Sequence, residues 1–102
     1  MSEAERALKL LGLATRAGSV LPGTDRVREA ARAGRLVLVI LAADASENSR
    51  GKLVPLLEAR RIPFLIRYER ARLGGATGKP PLSAVGITDP ELARRLRELL
   101  AG

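Results

Sequence analysis

The chain is 102 residues long, carries a net charge of +7 and is 46% apolar, which describes one globular domain with a single hydrophobic core. It holds no Cys and no His, which excludes disulfide frameworks, thiolate metal sites, Cys or His nucleophiles and imidazole general bases. The only aromatic residues are Phe64 and Tyr68, so Leu, Val, Ile and Ala must build the core, and single-strand recognition by several stacked rings is disfavoured.

Ser2-Glu3-Ala4-Glu5 has the spacing of a capping box. Two acids ahead of any apolar cluster do not read as a secretory signal. Ala4, Leu8, Leu11 and Thr15 follow at helical intervals, widened by Leu10 and Ala14, and Gly18 supplies a stop. A short extended piece, Ser19 to Leu21, then leads through Pro22 and Gly23 to a second helix over about 24–33. That helix buries Val27, Ala30 and Ala31 and ends at Gly34. Its start matters chemically: Gly23 with Thr24 or Asp25 as cap leaves backbone N–H groups pointing outward, where a phosphate or a base edge can dock.

Leu36 to Ala42 shows no alternation and predicts a central strand covered on both faces. The apolar run to Ala43 is far too short to cross a bilayer, and a cytoplasmic location is expected. Asp44 or Ser46 caps a helix over about 47–61, carrying Leu53, Leu56 and Leu57, which Pro55 should bend or locally break. Phe64-Leu65-Ile66-Arg67 is a second strand, completing a strand–helix–strand unit expected to cross over right-handedly. A short helical turn near 69–75 and a polar, Gly-rich loop come next. Ser83 to Ile87 is the third full strand, and Asp89 with Pro90 opens a last helix whose stripe is Leu92, Leu96, Leu99 and Leu100. The expected fold is an α/β three-layer α/β/α sandwich, with a mixed four-stranded sheet and helices on both faces.

The charge points to a polyanionic partner. It is nearly all Arg, whose guanidinium bonds phosphates bidentately and stacks on bases. A coding bias accounts for Arg over Lys but not for the excess of bases over acids. The charge is spread along the chain rather than gathered in one amphipathic helix, which disfavours a membrane surface. Across the third quarter Arg60, Arg61, Arg67, Arg70, Arg72 and Lys79 meet a single acid, Glu69. Gly74-Gly75-Ala76-Thr77-Gly78-Lys79 imitates a nucleotide phosphate loop, but Leu73 stands where Gly is needed and Pro80 where a hydroxyl is needed. As a loop of small residues it still allows close approach to another molecule. Asp44, Glu47 and Asn48 do not form a convincing hydrolytic or metal site, and Asp25, Arg28 and Glu29 have the spacing of ordinary helix pairs. No nucleophile–base pair is present, so no enzymatic activity and no cofactor are expected.

These pieces together resemble the bacterial YlxQ-type proteins, a branch of the ribosomal-protein superfamily that binds kink-turn RNA. The resemblance covers essentially the whole chain and rests on Leu11-Gly12-Leu13-Ala14-Thr15-Arg16-Ala17-Gly18, on Gly23 with Ala30 and Gly34, and on Leu41-Ala42-Ala43-Asp44-Ala45-Ser46-Glu47-Asn48. Ile62-Pro63, Leu73-Gly74 with Ala76 and Gly78-Lys79, and Val85-Gly86-Ile87 extend it. It implies a non-catalytic, monomeric protein of ribosome assembly or translation, with structured RNA as partner. It also implies an RNA site made of three neighbouring loops, here Gly23–Glu29, Ala42–Asp44 and Leu73–Lys79. In the family the helix start reads tandem G·A pairs and the last loop covers bases protruding from the kink. The residues this assigns to RNA are Gly23, Thr24, Asp25, Arg26, Arg28, Asp44, Leu73, Gly74, Thr77, Gly78 and Lys79, with Arg16 added for its charge.

The chain departs from the pattern at the site itself. Strong RNA binders of the superfamily carry Asn, Glu and Lys where Asp25, Arg26 and Glu29 stand, an acid where Ala43 stands, and often lysines at Leu21-Pro22. Ionised Asp25 only accepts hydrogen bonds and faces the two acceptors of guanine poorly, whereas Arg26 faces them well. The expected roles are therefore redistributed: Arg26 to a base edge, and Arg28, Lys79 and Arg16 to phosphates. The competing expectation is an interaction module that kept the fold and lost specific RNA recognition.

Overall fold

The computed structural model describes residues 1–101. Its elements are α1 (Glu3–Arg16), β1 (Val20–Pro22), α2 (Thr24–Arg32), β2 (Leu38–Leu41), α3 (Glu47–Ala59), β3 (Phe64–Ile66), α4 (Arg70–Thr77), β4 (Ala84–Ile87) and α5 (Pro90–Leu100). The strands lie in the order β1-β4-β2-β3. β2 runs parallel to β3, while β4 runs antiparallel to both β1 and β2. α2 and α3 pack together on one face, and α1 packs with α4 and α5 on the other. This is the expected α/β/α sandwich with a mixed four-stranded sheet.

Both central strands, β2 and β4, are buried at every position. That is why their sequences are unbroken apolar runs instead of alternating ones. The core is aliphatic: Leu11, Leu38, Ile40, Leu41, Leu53, Leu57, Leu73, Ile87 and Leu96 are fully enclosed. Each such side chain stabilises the fold by about 1.5–3 kcal/mol relative to exposure. Phe64 and Tyr68 sit only at its margin.

Three helix starts are capped as their sequences suggest. The Ser2 hydroxyl accepts from Glu5 N–H at 3.1 Å, Ser46 from Ser49 N–H at 3.1 Å, and Asp89 from Glu91 N–H at 3.0 Å beside Pro90 at the first turn. Capping by a side chain of this kind contributes about 1 kcal/mol.

Four expectations need correction. The buried stripe of α1 is Ala7, Leu11 and Ala14; Ala4, Leu8 and Thr15 lie beside it, and the Thr15 hydroxyl donates to the Leu11 carbonyl at 2.7 Å. Pro55 does not interrupt α3. The carbonyl its ring must pass, four residues back, belongs to Gly51, and both residues face solvent. α3 stops at Ala59, and Arg61 takes the left-handed conformation (φ 56°) commonly given to Gly at a helix end. The fourth correction bears on the site. The helical turn expected near 69–75 runs on through Ala76 and Thr77, so the Gly-rich loop begins only at Gly78. The chain then turns at Gly78, which is left-handed with φ 71°. It folds back so closely that a Cβ on Gly74 would lie 2.3 Å from the Pro80 carbonyl oxygen.

Candidate nucleic-acid interface

Three chain segments meet at the end of the sheet where β2 finishes and β4 begins. They are the start of α2, the β2–α3 turn and the stretch between α4 and β4. Ser83 joins the latter two. Its carbonyl accepts from Ala42 N–H at 2.8 Å, and its hydroxyl accepts from Ser46 N–H at 3.4 Å. Gly23 N–H donates to the Ala84 carbonyl at 2.9 Å, which ties the start of α2 to the same strand. Leu82 lies beneath Gly23, about 4.0 Å from where its Cβ would be.

The start of α2 is the one helix start here with a glycine cap. Gly23 occupies the N-cap at φ 102° and ψ 152°, a conformation open essentially to Gly alone. Thr24 and Asp25 are therefore the first helical residues rather than the cap, and no side chain closes the first turn. The Thr24 hydroxyl is instead 2.9 Å from that of Ser49, pinning α2 against α3. The open end of the helix dipole faces outward, where it favours an anion. Asp25, Arg26 and Glu29 are exposed and Arg28 is half-buried. Among the described residues the ion pairs are Arg70–Asp44 and those of Arg94 with Glu91 and Glu98. The i,i+3 pairing of Asp25 with Arg28 is therefore not made.

In the β2–α3 turn, capping is divided between two helices. Ser46 caps α3, whereas Asp44 caps α4 from outside, accepting Arg70 N–H at 2.7 Å with the Arg70 guanidinium 3.6 Å away. The Arg70 backbone N–H, aided by the Arg70 charge, holds the Asp44 carboxyl below the usual carboxylate range. Asp44 therefore stands at the site but is engaged in fastening α4. Beside it, Arg50 donates to the Ala43 carbonyl at 2.7 Å, adding a cation to the rim.

The third segment differs most from the expectation. Leu73 and Gly74 are buried within α4, and the Thr77 hydroxyl donates inward to the Leu73 and Gly74 carbonyls at 2.9 and 3.2 Å. Leu73 and Thr77 thus hold α4 in place from within, and Thr77 also borders the groove between α1 and α4. The outward-facing stretch is Gly78 to Pro81, with Gly78, Lys79, Pro80 and Pro81 exposed and Leu82 half-buried behind them. Pro80-Pro81 is the sequence signal for this stretch, since paired prolines resist helix and mark a loop.

The other candidates separate. Arg16 lies on the opposite helical layer, lining a groove between α1 and α4 that Gly78 also borders. The basic cluster of the third quarter is not a single patch. Arg60 donates to the Arg32 carbonyl at the far end of α2, Arg70 faces Asp44, and the Arg72 guanidinium lies 5.8 Å from the centroid of the Tyr68 ring. Gly23, Thr24, Asp25, Arg26 and Arg28 lie at the start of α2, which Ala84 and Ser83 link to the turn carrying Asp44, while Gly78 and Lys79 begin the stretch that leads to Leu82 beneath Gly23.

An α/β/α sandwich with an open, glycine-capped helix start, set between two strand-end loops and rimmed by Arg26, Arg28, Arg50 and Lys79, is the architecture of a domain suited to an anionic partner. The chain belongs to the ribosomal protein L7Ae/L30e/S12e/Gadd45 family, which it matches over residues 5–97. The RNA-binding protein YlxQ of Bacillus subtilis (strain 168) is 38% identical over 91 residues, 89% of this chain and 91% of that protein. Among solved structures, a protein of unknown function from Bacillus halodurans C superposes with a TM-score of 0.86 at 35% identity, covering 94% of this chain and 97% of that one. The Giardia lamblia 15.5kD RNA binding protein shares the fold, with a TM-score of 0.77 at 20% identity over 97% of this chain and 85% of its own.

Proposed function

We propose that this protein binds structured RNA of the kink-turn type, as a monomeric, non-catalytic factor of ribosome assembly or translation in the cytoplasm. The observation that carries the reading is the start of α2: a helix end capped by Gly23, free of any side-chain cap, beside exposed Arg26 and the Gly78–Pro81 loop. The family and the RNA-binding relative support the same partner. In this reading backbone N–H groups and Arg28 and Lys79 meet phosphates, Arg26 meets guanine O6 and N7 in the groove opened at the kink, and Pro80-Pro81 covers protruding bases. Arg50 joins the phosphate contacts. Asp25 and Glu29 narrow the choice of RNA, because each repels a phosphate placed against it.

Titration of a kink-turn duplex at two salt concentrations tests this, with a second duplex whose G·A pairs are replaced by Watson–Crick pairs. Preference for the kinked RNA and its loss in Arg26→Ala are expected. Equal affinity for both duplexes, insensitive to Arg26→Ala, would leave the competing reading of a protein-interaction module. The exposed acids Asp25 and Glu29 are the observation in that module's favour.

A further inference from the structure

On the other helical layer, α1 and α4 enclose a groove of about 530 Å³. The two helices approach closely because Gly12 has no side chain, and a Cβ there would stand 2.7 Å from the Ala76 carbonyl oxygen. Gly12, Gly75, Ala76 and Gly78 give the lining its small residues, and Leu8 and Leu13 add apolar surface beside them. Its charged lining is Lys9, Arg16 and Arg72, and no carboxylate lines it. All three cations are exposed, and none belongs to an ion pair of the described residues. Lys9 and Arg16 are seven residues apart on α1, hence on one face and about 10 Å apart along the axis. Arg72 reaches the groove from α4, its guanidinium near the Tyr68 ring, whose hydroxyl donates to the Ala4 carbonyl at 2.5 Å. A trough whose charged lining is wholly basic suits the sugar–phosphate backbone of a strand more than a base edge, with the apolar Leu8 and Leu13 meeting sugar. The chain links it to the proposed site: Gly78 borders the groove, and the stretch that follows carries Leu82 to about 4.0 Å from where a Gly23 Cβ would be.

We infer that the α1–α4 groove is a second RNA-contacting track, in which Lys9, Arg16 and Arg72 bind successive phosphates of a strand leaving the site at the start of α2. The inference rests on the RNA reading above and gives Arg16 its place in it. The nearest acids in sequence, Glu5 on α1 and Glu69 before α4, lie outside the lining and set the limits of the track.

The test compares a minimal kink-turn duplex with the same duplex carrying a long extension of one strand, each titrated at several salt concentrations. The variant combines Lys9→Gln, Arg16→Gln and Arg72→Gln, and a control combines Arg32→Gln, Arg35→Gln and Arg97→Gln, removing equal charge elsewhere. The groove variant should bind the extended RNA about tenfold more weakly at ~0.1 M salt, with a log–log salt slope shallower by about two to three. It should bind the minimal duplex as the unaltered protein does. Unchanged binding of the extended RNA, or an equal loss in the control, would overturn the track. Failure of the RNA reading itself shows separately, as indifference of the unaltered protein to the kink and to Arg26→Ala on the minimal duplex. Arg16→Glu alone, which needs no triple substitution, should give a loss in the same direction on the extended RNA only.

Discussion

Two stretches are each marked by glycine in the sequence, at Gly23 and at Gly74-Gly75, yet the fold uses them in opposite ways. Gly23-Thr24-Asp25-Arg26 is outward-facing and opens a helix with no side chain closing it. Leu73-Gly74-Gly75-Ala76-Thr77 is helical, and its Leu73, Gly74 and Thr77 are turned inward under the returning chain. At Gly23 the missing Cβ permits a backbone conformation; at Gly74 it permits contact with the Pro80 carbonyl. A glycine thus opens an uncapped helix start in one place and permits close packing in the other, and only the neighbours distinguish them.

The sharpest way to break this contrast is Gly74→Val. Its first added carbon would meet backbone at 2.3 Å, and overpacking costs about 1–3 kcal/mol or more when backbone must move. Denaturant melts should show a loss of at least that size, with RNA affinity falling only because less protein is folded. Gly23→Ala should cost about 1–3 kcal/mol, the strain of a conformation reserved for Gly. It should also weaken RNA binding under conditions where the protein remains fully folded, by shifting the N–H groups. Arg26→Ala is exposed and should change stability by less than about 0.5 kcal/mol, while lowering kinked-RNA affinity about tenfold or more, in line with ~1–3 kcal/mol for a bidentate base contact.

Asp44→Asn sets the smallest effect and has a definite pH signature. The folded carboxyl is held low by the Arg70 N–H, so its stabilisation is complete above the unfolded value of about 3.9. It is lost as pH falls through the lower folded value. The unaltered protein should be slightly the more stable near neutrality, and the two stabilities should converge once pH has fallen below the lowered folded value.

Much of the architecture was legible because apolar runs and caps are local signals. The runs of β2 and β4, the Ser2, Ser46 and Asp89 caps and the Pro90 start can each be recognised from a few adjacent residues. What could not be read locally was decided by distant partners. The continuation of α4 through two glycines depends on Pro80 and Lys79 folding back on it. Asp44, two residues before a helix cap, turns out to serve a helix 26 positions later. Ser83, which joins the β2–α3 turn to β4, carries no distinguishing pattern in the sequence at all. Of the candidate site, the start of α2 was visible as a Gly-led helix opening. The position of Arg16 on a separate groove was not, because it depends on how α1 packs against α4.

The hydrogen bond from Ala42 N–H to the Ser83 carbonyl fastens two turns to the two most enclosed strands of the sheet. An amide held there exchanges its proton only when the sheet itself opens, so the surface it supports shares the rigidity of the core. In the proposed RNA reading, a surface held this way costs little ordering of the protein on docking. The bending, and the discrimination that comes with it, would then fall to the RNA.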